Sequence, residues 1–159
     1  MIDGPYPVLA MLGALATGLM AGLFCAFSVL VMRGLAALPA AQGVAAMNAI
    51  NSSAMAPAFM VLFLGVAVLC AVIAVVTFVL WPSHGTVHLL LGSALYLCGA
   101  FGVTVVANVP RNEALAKPAP GAPEAVAYWP TYLREWTRWN HVRAAASAVA
   151  ALVYALALI

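Results

Sequence analysis

Apolar positions run along this chain in four long blocks, and the polar positions are gathered into a few stretches between them. The first block, from about Val8 to Met32, stops at Arg33-Gly34, a cation and then a glycine, which is how helices commonly end. Leu38-Pro39 opens a second helical stretch, since proline is tolerated in a first turn, and apolar periodicity then continues to Trp81 with only Pro57 interrupting. A straight helix from Ala40 to Leu80 would be ~60 Å long, twice the ~30 Å of a hydrocarbon core. The polar part, Gln42 to Ser53, is therefore expected at the membrane interface, with residues 56–80 spanning. Trp81-Pro82-Ser83-His84-Gly85 reads as a tight turn, and a third helix covers residues 86–107 until Asn108-Val109-Pro110 ends it. A stiff, proline-rich connection follows at Lys117 to Pro123, then a short helix to Trp129 that Pro130 breaks or kinks. The last helix starts near Thr131, and its part at 142–159 is just long enough to span.

The pattern predicts an all-α integral membrane four-helix bundle forming a single domain, 1–159. Its spans are 8–32, 56–80, 86–107 and 142–159. An interfacial segment precedes the second span, and the fourth helix extends beyond the membrane. The N-terminal block is read as a span, because Asp3 stands where a signal peptide carries basic residues and the apolar run is too long.

Composition sharpens this reading. The chain is 67% hydrophobic and 6% charged, and Gly34 to Pro110 contains no Asp, Glu, Lys or Arg. A charge at mid-membrane costs ~2.5–3.5 kcal/mol, whereas a soluble domain needs charge to stay dispersed. A net charge of +2 is too small to suggest nucleic acid as a partner. Its distribution is more telling. The loops 33–55 and 109–141 hold five of the six Lys and Arg residues, and Arg143 sits at the same edge. The positive-inside rule then puts both loops in the cytoplasm and both termini outside the cell (inner) membrane. Cys25, Cys70 and Cys98 lie in separate apolar runs and are expected to be packing residues. Gly18 and Gly22, flanked by Ala14 and Ala26, form a small-residue stripe suited to close helix packing.

Chemistry is concentrated at the cytoplasmic edge. Asn108 to Arg143 holds eight of the ten charged residues and three of the four tryptophans. On the last helix Tyr132, Trp136, Asn140, Arg143, Ser147 and Tyr154 recur at three-to-four-residue steps, with one gap at Ala150. Such a stripe should face protein or a cavity and not lipid. The topology collects Asn48, Asn51, Asn108, Asn112, Trp136, Asn140, His141 and Arg143 at one membrane face, a donor set suited to holding a polar aromatic ligand. Plainer roles exist for each: amides cap and cross-link helix ends, and an arginine snorkels to headgroups. His84 and His88 are four apart but have no Asp, Glu or Cys near them in the sequence, and the bilayer separates them from His141. No metal set is legible, and bound haem or metal stays open.

The runs Ala21-Gly22-Leu23-Phe24-Cys25-Ala26-Phe27-Ser28, Ala46-Met47-Asn48-Ala49-Ile50-Asn51, Asn108-Val109-Pro110-Arg111-Asn112-Glu113-Ala114-Leu115 and Tyr132-Leu133-Arg134-Glu135-Trp136-Thr137-Arg138-Trp139-Asn140-His141-Val142-Arg143 resemble the anthrone oxygenase-like family of small four-helix membrane proteins. The resemblance covers nearly the whole chain. Where the family pattern usually has proline before its first Gly-Leu, this chain has Arg33. Fungal members are associated with oxidising an anthrone to an anthraquinone, and many bacterial members have no known function. The resemblance thus implies an oxygenase acting on a hydrophobic aromatic, anthrone- or hydroquinone-like, with O2 as co-substrate. An anthrone's carbanion is an aromatic, phenolate-like anion that reacts with O2 directly, so the protein must remove a proton and hold the anion. On that reading His141 is the candidate base and Arg143 an oxyanion donor, together the catalytic pair. Asn48, Asn51, Asn108, Asn112 and Asn140 are polar substrate contacts, while Tyr132, Trp136 and Trp139 sandwich the ring system.

Two other classes compete. One is a carrier of small hydrophobic molecules, which lacks the intramembrane Asp or Glu of proton coupling and needs to dimerise to enclose a path. The other is a non-catalytic membrane subunit of a larger assembly. A homo-oligomer stays open, and the lipid bilayer is a partner in every case. The cation distribution yields one direct expectation. Single cysteines at Ser83 and Ala119, in a Cys-free background, label from opposite sides of intact cells. Labelling of Ala119→Cys by an impermeant reagent added outside contradicts that topology.

Overall fold

The computed structural model describes Gly4, residues 6–82 and residues 84–159; Asp3 and Ser83, used above, lie outside the described residues. Every element among the described residues is helical. The five helices are α1 (Tyr6–Ala36), α2 (Ala40–Ala54), α3 (Pro57–Leu80), α4 (Thr86–Ala116) and α5 (Pro123–Leu156). Of these, α1, α3 and α4 are long and apolar enough to cross a membrane. Their outward faces carry Leu15, Leu19, Val61, Val68, Phe78, Val87 and Val106, each more than half exposed. So much exposed apolar surface is untenable in water and natural against lipid. The chain is a helical membrane protein.

α5 is the hub. α1 packs along it most extensively, α4 packs on its other side, and α3 packs against α4. The interior divides into two apolar clusters. One runs through the middle of the helices and includes Met20, Phe24, Phe63, Ile73, Leu89, Tyr96 and Tyr154. The other lies where α2 crosses the first half of α5 and includes Met32, Val44, Met47, Leu115, Trp129, Tyr132 and Trp136.

Close approach is made by glycines other than the pair expected. Gly18 stands 3.7 Å from Ala151 when given a Cβ, and Gly22 faces open space. Gly13 and Gly92 instead clasp the Tyr154 ring from α1 and α4, and a Cβ at either would meet the ring at 3.0 Å. Gly43 lies closer still to Trp129: a Cβ there would meet the indole at 2.6 Å.

Several helix ends differ from the sequence reading, for identifiable reasons. α1 does not stop at Met32 but continues to Ala36 through a π-helical turn at Phe27–Val31, where Met32 N–H bonds the Phe27 carbonyl. α4 runs through Pro110 instead of ending before it. Two π-helical segments, Leu97–Gly102 and Thr104–Asn108, precede that proline. The wider turn relieves the usual clash between the ring and the preceding carbonyls, and Arg111 Nη1 donates to the Ala107 carbonyl at 2.8 Å. Pro130 likewise sits inside an unbroken α5. An interior proline costs ~3 kcal/mol. Trp129, Tyr132 and Trp136, all buried around it, outweigh that at ~1.5–3 kcal/mol for each large side chain. The break after α2 falls at Met55-Ala56, just before Pro57, as the sequence suggested.

The Gly43–Trp129 contact generates a prediction. Gly43→Ala overpacks the second cluster and should destabilise by ~1–3 kcal/mol. Gly34→Ala, with nothing within 4 Å of the new methyl, should be neutral or better. Thermal unfolding of both variants in detergent checks the contrast; equal melting would mean that the indole does not need that gap.

Candidate functional site

Between the two clusters lies a cavity of about 430 Å³, bordered by α1, α2, the start of α3, α4 and α5. Most of its wall is apolar, from Leu23, Phe24, Phe27, Ile50 and Phe59. Asn51, Asn112, Trp136, Asn140 and Arg143 supply the polar part. Its size falls within the roughly 300–1,000 Å³ typical of small-molecule sites, and so does its character of an apolar pocket with a few converging polar groups.

The α5 stripe expected from spacing is the interior face of the helix. Tyr132, Trp136, Asn140, Arg143, Ser147 and Tyr154 are all buried, and Ala150 fills the gap between them. Asn140 is fully buried, and its Nδ2 donates to the Phe24 carbonyl at 2.7 Å and to Ser28 Oγ at 2.8 Å. It thereby ties α5 to α1 where the π turn of α1 begins. Asn108 Nδ2 donates to the Trp136 carbonyl at 3.3 Å, from the last residue of the α4 π segment. The π turn of α1 and the second π segment of α4 thus each meet α5 through an amide.

Arg143 dominates the electrostatics. Its side chain is 6% exposed, and its guanidinium lies 3.9 Å from the centre of the Phe24 ring. The salt bridge found among the described residues joins Arg111 to Glu135 at 3.0 Å and leaves Arg143 without a carboxylate. A cation–π contact is worth ~2 kcal/mol when desolvated, and burying an ion costs several. Phe24 therefore offsets only part of the cost of keeping this charge inside.

Other groups share the deficit. Asn51, Trp136, Asn140 and Arg143 border the cavity, and Asn51 Nδ2, Trp136 Nε1, Asn140 Oδ1 and Arg143 Nε are buried with no partner among the described residues; Asn48 Oδ1 and Asn108 Oδ1, outside the lining, are in the same state. Each unmet group costs ~1–3 kcal/mol. The Tyr132 hydroxyl donates to Asn112 Oδ1 at 2.8 Å, which leaves the Asn112 Nδ2 donors for a ligand. Burial pushes the Tyr132 phenol up from its ordinary value, so it remains a donor at neutral pH.

Not every expected residue arrives. Asn51, Asn112, Trp136, Asn140 and Arg143 line the cavity; Asn108 and Tyr132 bond to lining residues from behind, and Asn48 is outside the lining. His141 does not reach it. The next residue along α5 after Asn140 is turned by about 100°, so His141 is exposed and lines a separate groove with Arg33 and Arg134. Trp139 is 36% exposed, with Arg111 5.9 Å from its ring centre, and it too is off the cavity. Phe24, Phe27, Ser28 and Phe59 belong to the site without having been singled out as its residues. Phe24, Phe27 and Ser28 sit in the first resemblance motif, but apolar periodicity alone could not separate them from lipid-facing neighbours.

Fold and site together define a helical membrane protein with an amide-lined pocket closed at one side by a buried arginine. The chain belongs to the anthrone oxygenase family, whose family model matches residues 59–153. The match is narrower than the nearly full-length resemblance, and leaves α1 and α2 outside it. Neither the curated proteins nor the solved structures compared with the chain gave a match.

The Asn140 tie makes its own prediction. Asn140→Ala leaves the Phe24 carbonyl and Ser28 hydroxyl without their donor and removes a cavity amide. A loss of ~1–3 kcal/mol in thermal stability is expected. Ser28→Ala should cost less, because Asn140 keeps the carbonyl; a Ser28→Ala loss as large as that of Asn140→Ala speaks against this division.

Proposed function

We propose that this protein oxidises a hydrophobic, anthrone- or hydroquinone-like aromatic with O2 in the α1–α5 cavity, by stabilising the substrate's anion. The observation that carries this reading is Arg143: a buried cation without a carboxylate, facing an apolar pocket among amides with unmet hydrogen bonds. Such a group is suited to an oxygen on which negative charge develops. Family membership supports the reaction class.

For an anthrone, loss of one methylene proton moves charge onto the carbonyl oxygen, which Arg143 and the free Asn112 or Asn51 amide donors hold. Phe24, Phe27 and Trp136 bracket the rings. The anion's carbon then bonds to O2, giving a peroxide. Loss of the second hydrogen from that carbon with cleavage of the O–O bond forms the new carbonyl and releases water, so that one CH2 and one O2 become one C=O and one H2O. Among the described cavity residues there is no carboxylate or imidazole. The proton therefore leaves to water reaching the polar side, and Arg143 lowers the cost by stabilising what remains. Both reactants are apolar and partition into the bilayer.

The same reading makes α5 beyond Val142 the fourth span and lays α2 along the cytoplasmic interface of the cell membrane, with both termini outside. The one-sided cations support it.

Arg143→Lys keeps the charge but loses the planar fork. It should lower turnover on an anthrone by roughly 10²–10³-fold, the worth of an oxyanion donor. His141→Ala should stay near the parent. Oxygen uptake in nanodiscs, against empty nanodiscs, measures both. Parent-like turnover in Arg143→Lys, or collapse in His141→Ala alone, overturns the assignment of the chemistry to the cavity.

A further inference from the structure

A second groove, of about 560 Å³, opens on another face of α5 from the cavity, between the end of α1 and the first half of α5. Arg33 enters it from α1, and Arg134, Arg138 and His141 enter from α5. All four are exposed. Among the described residues no carboxylate lines it: Glu135 is turned to Arg111 on α4, and Glu124 lines a different depression beside Lys117. Three guanidiniums thus gather in one opening without a counter-charge. The floor is apolar, with Val29 and Leu133. Val29 is 41% exposed and continues onto the lipid-facing surface of α1 at Leu30, which is 68% exposed.

The geometry points to a binding site for one anionic phospholipid, its phosphate among Arg33, Arg134 and Arg138 and its acyl chain on Val29 and the α1 surface. The groove combines the two things such a lipid offers. Guanidinium forks match phosphate oxygens in a way that a single ammonium does not. A free phosphate would use the rim but leave the apolar floor against water. A zwitterionic lipid would match the floor but bring a choline or ethanolamine cation to three arginines. The groove also lies where α1 and α5 pass from apolar to cationic sequence, at the depth of headgroups on the side richer in cations. This inference rests on the chain's lying in a bilayer and is independent of the oxygenation chemistry.

Native mass spectrometry of the full chain, titrated with phosphatidylglycerol or phosphatidylcholine, tests it. One phosphatidylglycerol per chain should bind at least about tenfold more tightly than phosphatidylcholine. Each cation near a lipid surface contributes about fivefold, so Arg33→Gln/Arg134→Gln/Arg138→Gln together should weaken phosphatidylglycerol on the order of 100-fold. Lys117→Gln, outside the groove, should not change it. If the triple variant does not fold, Arg138→Gln alone should give the single step of about fivefold. Equal binding of the two lipids, parent-like binding by the arginine variants, or displacement of phosphatidylglycerol by millimolar inorganic phosphate each overturns the proposal, the last by making free phosphate the ligand.

Discussion

A guanidinium buried with no anion beside it among the described residues is the constraint around which this molecule is built. In low dielectric an ion is tolerated only where its surroundings replace water. Here one face of the Arg143 guanidinium is covered by Phe24, and the Nε has no protein acceptor. The position of Phe24 depends on α1 being locked to α5, which Asn140 does through the Phe24 carbonyl and Ser28. Asn108 secures α4 to the same stretch of α5. The amides around Arg143 are therefore struts with spare capacity: one end of Asn140 or Asn108 holds a helix, and the other is left unmet among the described residues.

The two-cluster interior explains where the space comes from. Apolar packing along the membrane helices and the aromatic stack on α2 are each closely fitted, as the clasp on Tyr154 and the Trp129–Gly43 contact show. They are built on different partners, and between them the helices cannot close without burying the charge of Arg143 completely. π turns in α1 and α4 fall at this junction. Such turns often mark functional positions, because they displace side chains from the regular helical register. In this chain they deliver Ser28 and Asn108 to α5.

Much of the fold was legible because lipid imposes a simple rule on sequence: apolar blocks of span length, with polar residues at their ends. The buried stripe of α5 followed from helical periodicity alone, down to the gap that Ala150 fills. The helix ends were less legible. Pro110 and Pro130 read as terminators because local rules give proline a cost, whereas the π turn before one and the indole and phenol packing around the other supply more than that cost. The site divided in a similar way. Loops on one membrane side identify an edge but not a direction around the helix, and so His141 and Trp139 were grouped with Asn140 and Arg143 although they face elsewhere. Angular position, readable from the same stripe that marked Arg143, was the signal that separates them.

The cation in the cavity and most of its apolar wall come from different parts of the chain. The polar groups Asn112, Trp136, Asn140 and Arg143 lie within residues 59–153, the stretch matched by the family model. The apolar Leu23, Phe24, Phe27 and Ile50, together with one polar group, Asn51, come from α1 and α2, outside it. An anion-stabilising cation must sit at a fixed distance from the charge it holds, which ties it to a rigid hub helix. Apolar walls have no such requirement, since dispersion and hydrophobic contact are non-directional. Under the proposed function, a helix such as α2, joined to its neighbours at Ala37–Pro39 and Met55-Ala56, can therefore reshape the pocket while α5 keeps the arginine in place.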